Sequence, residues 1–258
     1  YEMENRMPLL VTDFDGVICD SAWESVLTGY NMYLRMQQPG GRRITSLEEI
    51  PRSVQLEFRR LRAYLHGAED FLPIMRAVHS DRPIHSEADF NYFRNNTPEE
   101  IELSRKLFYA ERDYLRQHER TLWLELNPLF PVIGEEFGRL HPFENVHILT
   151  TKRLEDVMEI LHHYGIEFPK EQINAVDTTR KFTRLTDIAN SAGCELRDVI
   201  YIEDQINFLP PALAAGAKVY LAGWGYVSPE QRQIASAHSI PIIESGEYAE
   251  ILRDLSGA

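Results

Sequence analysis

The sequence predicts an α/β fold: a doubly wound parallel sheet that is interrupted, after its first strand, by an all-helical insert. Two observations predict it. From residue 131 onwards, apolar strand-like runs alternate with helix-like segments, which is typical of a parallel sheet with helical crossovers. Between residues 21 and 126 the apolar spacing is helical throughout. We therefore expect a core domain of residues 1–20 and 126–258 and a helical domain of residues 21–125.

The first strand is expected at residues 9–13, because this short apolar run suits a strand that is buried on both faces. In the insert, four apolar residues have the spacing of one buried helical stripe: Val54, Phe58, Leu61 and Leu65. Thr97 followed by Pro98 predicts a helix start with Thr97 as N-cap, and this helix is expected to end near residue 119.

The second half of the sequence predicts five more strands, at residues 146–150, 173–176, 199–203, 218–222 and 241–243. Helices are expected between them at residues 154–164, 181–192 and 209–215. Each of these three helices is followed closely by a glycine, a residue that commonly ends helices.

Composition excludes several classes of function. The 258 residues include 40 acidic and 27 basic side chains, a formal charge of −13, and such a chain is poorly suited to hold a nucleic-acid backbone. We expect no membrane partner, because no apolar run approaches the roughly 20 residues that span a bilayer and no signal-peptide pattern opens the chain. Cys19 and Cys194 form no disulfide framework, so a cytoplasmic location is expected. The oligomeric state is not indicated.

Two pairs of carboxylates stand where predicted strands end. Asp13 and Asp15 follow the first strand, and Glu203 and Asp204 end another. Because the carboxyl ends of parallel strands meet at one edge of a sheet, these acids are expected to converge and to repel one another unless a cation neutralises them. Carboxylate and carbonyl oxygens are ligands that suit Mg²⁺. Two simpler interpretations remain open, an Asp-rich turn around Gly16 and a helix N-cap at Glu203 and Asp204.

The run Asp-Phe-Asp-Gly-Val-Ile-Cys-Asp-Ser at residues 13–21 resembles the first motif of the haloacid dehalogenase-like (HAD) superfamily. It is most similar to the subgroup that holds phosphoglycolate phosphatase and β-phosphoglucomutase. Residues 146–152, with Thr150 at the strand end, are similar to the second motif, and Lys181 stands where the third motif has its lysine. Glu203-Asp204 matches the acidic pair of the fourth motif. The resemblance implies a Rossmann-like HAD core with a helical cap.

The same resemblance implies a Mg²⁺-dependent phosphatase that acts on a small phosphorylated metabolite. Asp13 would be the nucleophile that forms an aspartyl-phosphate, and Asp15 the general acid and base. Thr150 and Lys181 would stabilise the transferred phosphoryl group. The presence of Asp15 favours a phosphatase over a dehalogenase, since a halide leaving group needs no proton.

The implied metal ligands are the Asp13 carboxylate, the Asp15 carbonyl group and Asp204, with Glu203 in support. Two alternatives stay open for the basic residue of the third motif, Lys170 and Arg180. Thr151 is an alternative to its neighbour Thr150 and a candidate substrate contact.

The insert is expected to be the cap that selects the substrate. Arg59 and Arg62 lie one turn apart on a predicted helix and are candidates to contact an anionic substrate, although a solvated helix face explains them as well. Residues 223–226 resemble a late loop beside the active site of the family, or form a flexible turn. Two further functions stay open: a sugar phosphomutase on the same fold, and a catalytically silent binding protein.

Overall fold

The strand-like runs form one parallel sheet of six strands in the order β3-β2-β1-β4-β5-β6. The computed structural model describes residues 7–140 and 143–256. Within them the strands are β1 (Leu9–Thr12), β2 (Val146–Thr150), β3 (Ile173–Ala175), β4 (Val199–Glu203), β5 (Lys218–Ala222) and β6 (Ile242–Ile243). The predicted bounds of β2, β4 and β5 are confirmed, while β1, β3 and β6 are each one residue shorter than predicted.

The order of the strands places β1 in the middle of the sheet, between β2 and β4. The chain builds outwards from β1 first in one direction and then in the other, so the order reverses between β1 and β4. In doubly wound sheets a crevice opens at such a point, outside the carboxyl ends of the strands. The predicted doubly wound fold class is therefore confirmed, and Asp13 and Glu203 stand at the point where the order reverses.

The chain divides into two compact units, the first within Tyr1–Asp20 and Leu129–Ala258 and the second Ser21–Pro128. The sequence predicts that the insert ends at residue 125. Residues 21–128, all of which the structure describes, contain helices and no strand. The α-helices of this unit are α1 (Ala22–Gln37), α2 (Arg52–Leu61), α3 (Phe71–Val78), α4 (Glu87–Asn95), α5 (Ile101–His118) and α6 (Arg120–Glu125).

The second unit has its own apolar core. Phe71 and Phe108 stack at its centre with ring centroids 3.5 Å apart. Of the predicted stripe on α2, Phe58, Leu61 and Leu65 are buried and Val54 is half-buried. The α-helix ends at Leu61 and continues as a short 3₁₀ helix, so the stripe crosses a change of helix type.

The predicted N-cap at Thr97 is wrong. The helix α5 begins at Ile101, and Thr97 instead follows the end of α4. Its hydroxyl donates to the carbonyl oxygens of Phe93 and Arg94, at 3.2 and 3.1 Å. A threonine hydroxyl can satisfy the free carbonyls of a helix that ends as well as the free amides of one that begins, and here the first alternative is observed.

The helices of the first unit are α7 (Pro131–Arg139), α8 (Leu154–His163), α9 (Lys181–Ser191), α10 (Leu209–Ala214), α11 (Pro229–Ala237) and α12 (Ser245–Ser256). Leu185 on α9 and Leu209 on α10 belong to the buried cluster that also contains Val11 and Tyr201 of the central strands. This packing holds the first turn of α9 beside the carboxyl ends of β1 and β4. None of the helices in the described ranges is long and apolar enough to cross a membrane.

Candidate active site

Three carboxylates meet at the point where the strand order reverses. Strands β1 and β4 pair with Thr12 opposite Ile202, and the backbone N–H of Asp13 donates to the Ile202 carbonyl oxygen at 2.9 Å. Asp13 therefore lies beside the acidic pair that ends β4. Asp13, Glu203 and Asp204 are all buried, and each offers a carboxylate oxygen within 4.8 Å of the others.

Lys181 is the basic residue that joins this group. It begins α9 and is itself buried, and its ammonium donates to Asp13 Oδ2 at 2.9 Å and to Glu203 Oε2 at 2.7 Å. The two alternative residues for this position, Lys170 and Arg180, are exposed.

Burial sets the electrostatics of the cluster. It raises the pKa of Asp13 well above the usual aspartate range, and the charge of Glu203 raises it further. Burial also raises the pKa of Glu203, although the charge of Lys181 acts in the opposite direction. For Lys181 itself, burial lowers the pKa, but the charges of Asp13 and Glu203 outweigh this and raise it.

The positive charge of Lys181 thus compensates only part of a cluster of three buried carboxylates. Ionising all of them requires further positive charge close by. The donors are oxygens, they are close together, and they lie where the strand order reverses, so the residues present fit a bound divalent cation.

Asp15 and Thr150 are held beside the cluster by Lys152. The Lys152 ammonium donates to Asp15 Oδ1 at 3.2 Å, and the backbone N–H of the same lysine donates to Thr150 Oγ1 at 3.1 Å. Thr150 ends β2, the strand next to β1, and it is buried, whereas Thr151 is exposed. The structure therefore places the Thr150 hydroxyl at the same edge of the sheet as Asp13.

Asp204 is enclosed by backbone that leaves no room for side chains. Gly16 has φ +83°, and a Cβ atom built on it would lie 2.1 Å from Asp204 Oδ2. A Cβ on Gly225 would lie 2.4 Å from the Gly16 carbonyl oxygen. The backbone N–H of Tyr226 donates to Asp204 Oδ2 at 3.2 Å. Two glycines are thus required where they stand, and the loop of residues 223–226 forms part of the wall around Asp204.

These contacts decide between interpretations that the sequence left open. The Asp-rich turn exists, because Asp13 Oδ1 accepts a bond of 2.7 Å from the Phe14 N–H, but Asp13 also joins the cluster. The helix N-cap at Glu203 and Asp204 is wrong. Glu203 is the last residue of β4, and Gln205 occupies the N-cap position of the short 3₁₀ helix that follows.

No model of a protein family matches the chain, and no curated protein sequence matches it either. Solved structures, in contrast, do match the chain. A structure described as a predicted phosphatase from Clostridium acetobutylicum is 15% identical, with a TM-score of 0.59 over 96% of this chain and 100% of that one. A predicted phosphoglycolate phosphatase from Haemophilus somnus is 16% identical, with a TM-score of 0.59 over 96% and 99%. A haloacid dehalogenase-like hydrolase from Streptococcus pneumoniae is 13% identical, with a TM-score of 0.58 over 92% and 93%.

The chain has the HAD-like fold. The resemblance indicated by the first and fourth motifs is confirmed at this level, since the likeness extends over almost the whole of each chain. In the HAD-like fold of this chain, the residues that the four motifs supply lie together: Asp13, Asp15, Thr150, Lys181, Glu203 and Asp204.

Sequence reasoning missed two side chains of the site, Lys152 and Tyr201. The Tyr201 hydroxyl donates to Glu203 Oε2 at 2.7 Å, and burial raises the pKa of this phenol well above its usual value. Tyr201 is hidden in the apolar run of β4. Its position two residues before Glu203, and therefore on the same face of the strand, is the signal that could have found it.

The two arginines of the insert lie in the second unit. The Arg59 guanidinium stands over the Trp23 ring, 4.3 Å from the centroid. Arg62 is buried and donates to the Leu65 carbonyl oxygen at 3.2 Å. The hypothesis of a solvated face is therefore wrong for Arg62, and a contact of either arginine with a substrate stays a prediction.

Proposed function

We propose that this protein is a Mg²⁺-dependent phosphohydrolase that cleaves a small organic phosphate ester through an aspartyl-phosphate on Asp13. The observation that supports it most strongly is the group of three buried carboxylates, two of them bonded to Lys181, at the point where the strand order of an HAD-like fold reverses. Hydrolysis also needs a proton donor, and Asp15 is present two residues after Asp13.

In the first half-reaction an oxygen of the Asp13 carboxylate attacks phosphorus and forms an acyl-phosphate bond. The bond between phosphorus and the ester oxygen breaks, and Asp15, in its protonated form, gives its proton to that oxygen. The products are an alcohol, a phosphorylated Asp13 and an ionised Asp15.

In the second half-reaction Asp15 takes a proton from a water molecule, whose oxygen attacks the phosphorus atom. The bond between phosphorus and Asp13 breaks, and inorganic phosphate leaves. Asp13 is again a carboxylate and Asp15 is again protonated, so the cycle closes with one water consumed.

Donors around the reacting group come from this chain. The Lys181 ammonium and the Thr150 hydroxyl are available to stabilise negative charge on the phosphoryl oxygens. The Asp13 carboxylate, the Asp15 carbonyl group and Asp204 would hold Mg²⁺, with Glu203 in support. When bound, Mg²⁺ neutralises charge between the nucleophile and the phosphate. We favour Mg²⁺ because the donors are oxygens and this ion is commonly held by one or two carboxylates together with substrate phosphate.

The second unit is proposed to be the cap, the segment that excludes water and selects the substrate. It contains a cavity of about 780 Å³, lined in part by Trp23, Arg52 and Gln55. Arg59 stacks on Trp23, so an arginine is fixed beside the wall of that cavity. Glu48 and Glu125 line the same cavity, so a contact with an anionic group of a small phosphorylated metabolite would have to come from Arg52 or Arg59. We place the reaction in the cytoplasm, a proposal that rests on Cys19 and Cys194 not being joined in a disulfide.

The test is phosphate release from a panel of phosphorylated sugars, nucleotides and small acids, with EDTA and then with added Mg²⁺. We expect activity that requires Mg²⁺ and disappears in Asp13→Asn, while Asp187→Asn, at an exposed position on α9, stays active. Appearance of an isomeric sugar phosphate without inorganic phosphate would indicate a phosphomutase. Tight binding of a phosphate ester without any turnover would indicate a binding protein.

A further inference from the structure

Lys152 is buried beside the candidate active site and has no role in the mechanism above. Its side chain is 1% exposed, and its ammonium lies 3.2 Å from Asp15 Oδ1. An ammonium group in the protein interior is costly unless it is paired and hydrogen-bonded. The contact with Asp15 is therefore a built feature of the site and not a chance encounter of two mobile surface groups.

The two buried lysines of the site bond different acids. Lys181 bonds Asp13 and Glu203, the nucleophile and the end of β4. Lys152 bonds Asp15, which stands on the loop after β1. Lys152 is therefore not a duplicate of Lys181, because each lysine restrains a different carboxylate.

The backbone of Lys152 fixes its place relative to the phosphoryl donors. Its N–H donates to Thr150 Oγ1 at 3.1 Å, so the residue is tied to the end of β2. The side chain then connects this point to Asp15 on the neighbouring loop. The Asp15 side chain is 16% exposed, and a partly exposed aspartate can adopt several rotamers unless a partner restrains it.

We propose that Lys152 is a positioning residue, which holds the Asp15 carboxyl group in the orientation needed for proton transfer to and from the ester oxygen and water. This inference rests on the proposed function. By bonding Oδ1, the lysine restricts rotation of the carboxyl group and so sets how that group meets the ester oxygen and the water molecule. Lys152 does not itself donate the proton or touch the phosphorus atom.

The prediction concerns how the loss of activity depends on the leaving group. A good leaving group departs without a proton, whereas a poor one depends on Asp15. In Lys152→Met we expect kcat to fall by about a hundredfold for phosphate esters of poorly acidic alcohols, and by less than about tenfold for p-nitrophenyl phosphate, with KM little changed. A merely structural role would lower kcat by the same factor for every ester, because it would only reduce the folded fraction.

Three further variants are compared with Lys152→Met. Lys152→Arg keeps the charge but moves the donor, so its loss should be smaller than that of Lys152→Met and should still depend on the leaving group. Lys218→Met removes an exposed lysine at the start of β5. The candidate site lies at the carboxyl ends of the parallel strands, so this variant should leave all rates unchanged. In an Asp15→Asn background, Lys152→Met should cost less than about twofold, since the residue acts through Asp15.

The outcomes separate this role from the proposed function. If the wild-type protein is inactive on every ester, the proposed function fails and the role of Lys152 fails with it. If the wild type is active but both Lys152 variants keep full activity, the proposed function stands and the positioning role is overturned. The positioning role is also overturned if Lys152→Met lowers kcat by the same factor for every ester. It is overturned as well if Lys152→Met costs as much in the Asp15→Asn background as in the wild type.

Discussion

Replacement of Gly16 by alanine tests whether Asp204 is held in place by the close approach of the backbone. A Cβ atom at Gly16 would lie 2.1 Å from Asp204 Oδ2 and 2.5 Å from its Cγ atom. Neither distance is tolerated between non-bonded atoms, so the Asp204 carboxylate has to move. Gly16 also has φ +83°, a conformation that alanine adopts only with strain.

The cost has two parts. The left-handed backbone conformation costs about 1–2 kcal/mol for a residue with a Cβ atom. Displacing a packed, buried side chain costs about 1–3 kcal/mol more. We therefore expect Gly16→Ala to lower the free energy of unfolding by about 2–5 kcal/mol, and to move a proposed metal ligand away from Asp13.

Gly165→Ala is the matched control. Gly165 lies in the same unit with φ +74°, and a Cβ atom there meets no atom within 4 Å, so the variant should lose only about 1–2 kcal/mol. Denaturant unfolding gives both free energies. The Mg²⁺ concentration for half-maximal phosphatase activity should rise about tenfold or more in Gly16→Ala and stay unchanged in the control. Equal losses of stability in the two variants, with the same Mg²⁺ dependence, would refute the argument.

Three further predictions each concern one buried or half-buried side chain. Lys181→Met should abolish activity and destabilise the protein by about 3–5 kcal/mol in thermal unfolding, because Asp13 and Glu203 lose a buried partner; added Mg²⁺ should recover part of the stability. Tyr201→Phe should lower the free energy of unfolding by about 1.5–3 kcal/mol, because it removes the bond to the Glu203 carboxylate. For His147, burial lowers the pKa in the folded state, so the unfolded chain binds a proton where the folded one does not; the free energy of unfolding should fall as the pH drops below about 6.5.

Each of these predictions has an outcome that contradicts it. Lys181→Met with wild-type stability would mean that the buried carboxylates need no ammonium partner. Tyr201→Phe should keep the fold, and a loss below about 0.5 kcal/mol would show that the hydroxyl exchanges its bond for water at no cost. His147→Leu should lessen the fall in stability below pH 6.5, and the same slope in both proteins would exclude His147 as its source.

The fold was predictable because its strands are coherent apolar runs. β2, β4 and β5 begin and end where the sequence predicts, since a polar residue or a glycine stands at or next to each end of these strands. The prediction of a helix N-cap at Thr97 failed for a local reason. Its hydroxyl can bond either the amides of a following helix or the carbonyls of a preceding one, and the sequence around it fits both.

The candidate site was predictable where a residue of suitable chemistry stands at the end of a predicted strand. Asp13 follows β1, and Glu203 and Asp204 stand at the end of β4, so topology alone brings them together. Lys152 was missed although it lies within residues 146–152, the segment that is similar to the second motif. A single lysine after a strand has no periodicity that marks it, and its contact with Asp15 depends on how two loops meet across the sheet edge.

The central claim is that Asp13 becomes phosphorylated, and the direct measurement is the mass of the peptide that contains it. The protein would be mixed with Mg²⁺ and an ester that it hydrolyses, and the reaction would be quenched in acid within one turnover. The protein would then be digested and analysed by mass spectrometry. Asp15→Asn should be analysed in parallel, because loss of the base slows removal of the phosphoryl group and lets it accumulate. We expect the mass of one phosphoryl group on Asp13 in both proteins and none in Asp13→Asn. An active enzyme whose Asp13 peptide never gains that mass, even in Asp15→Asn, would contradict the covalent mechanism.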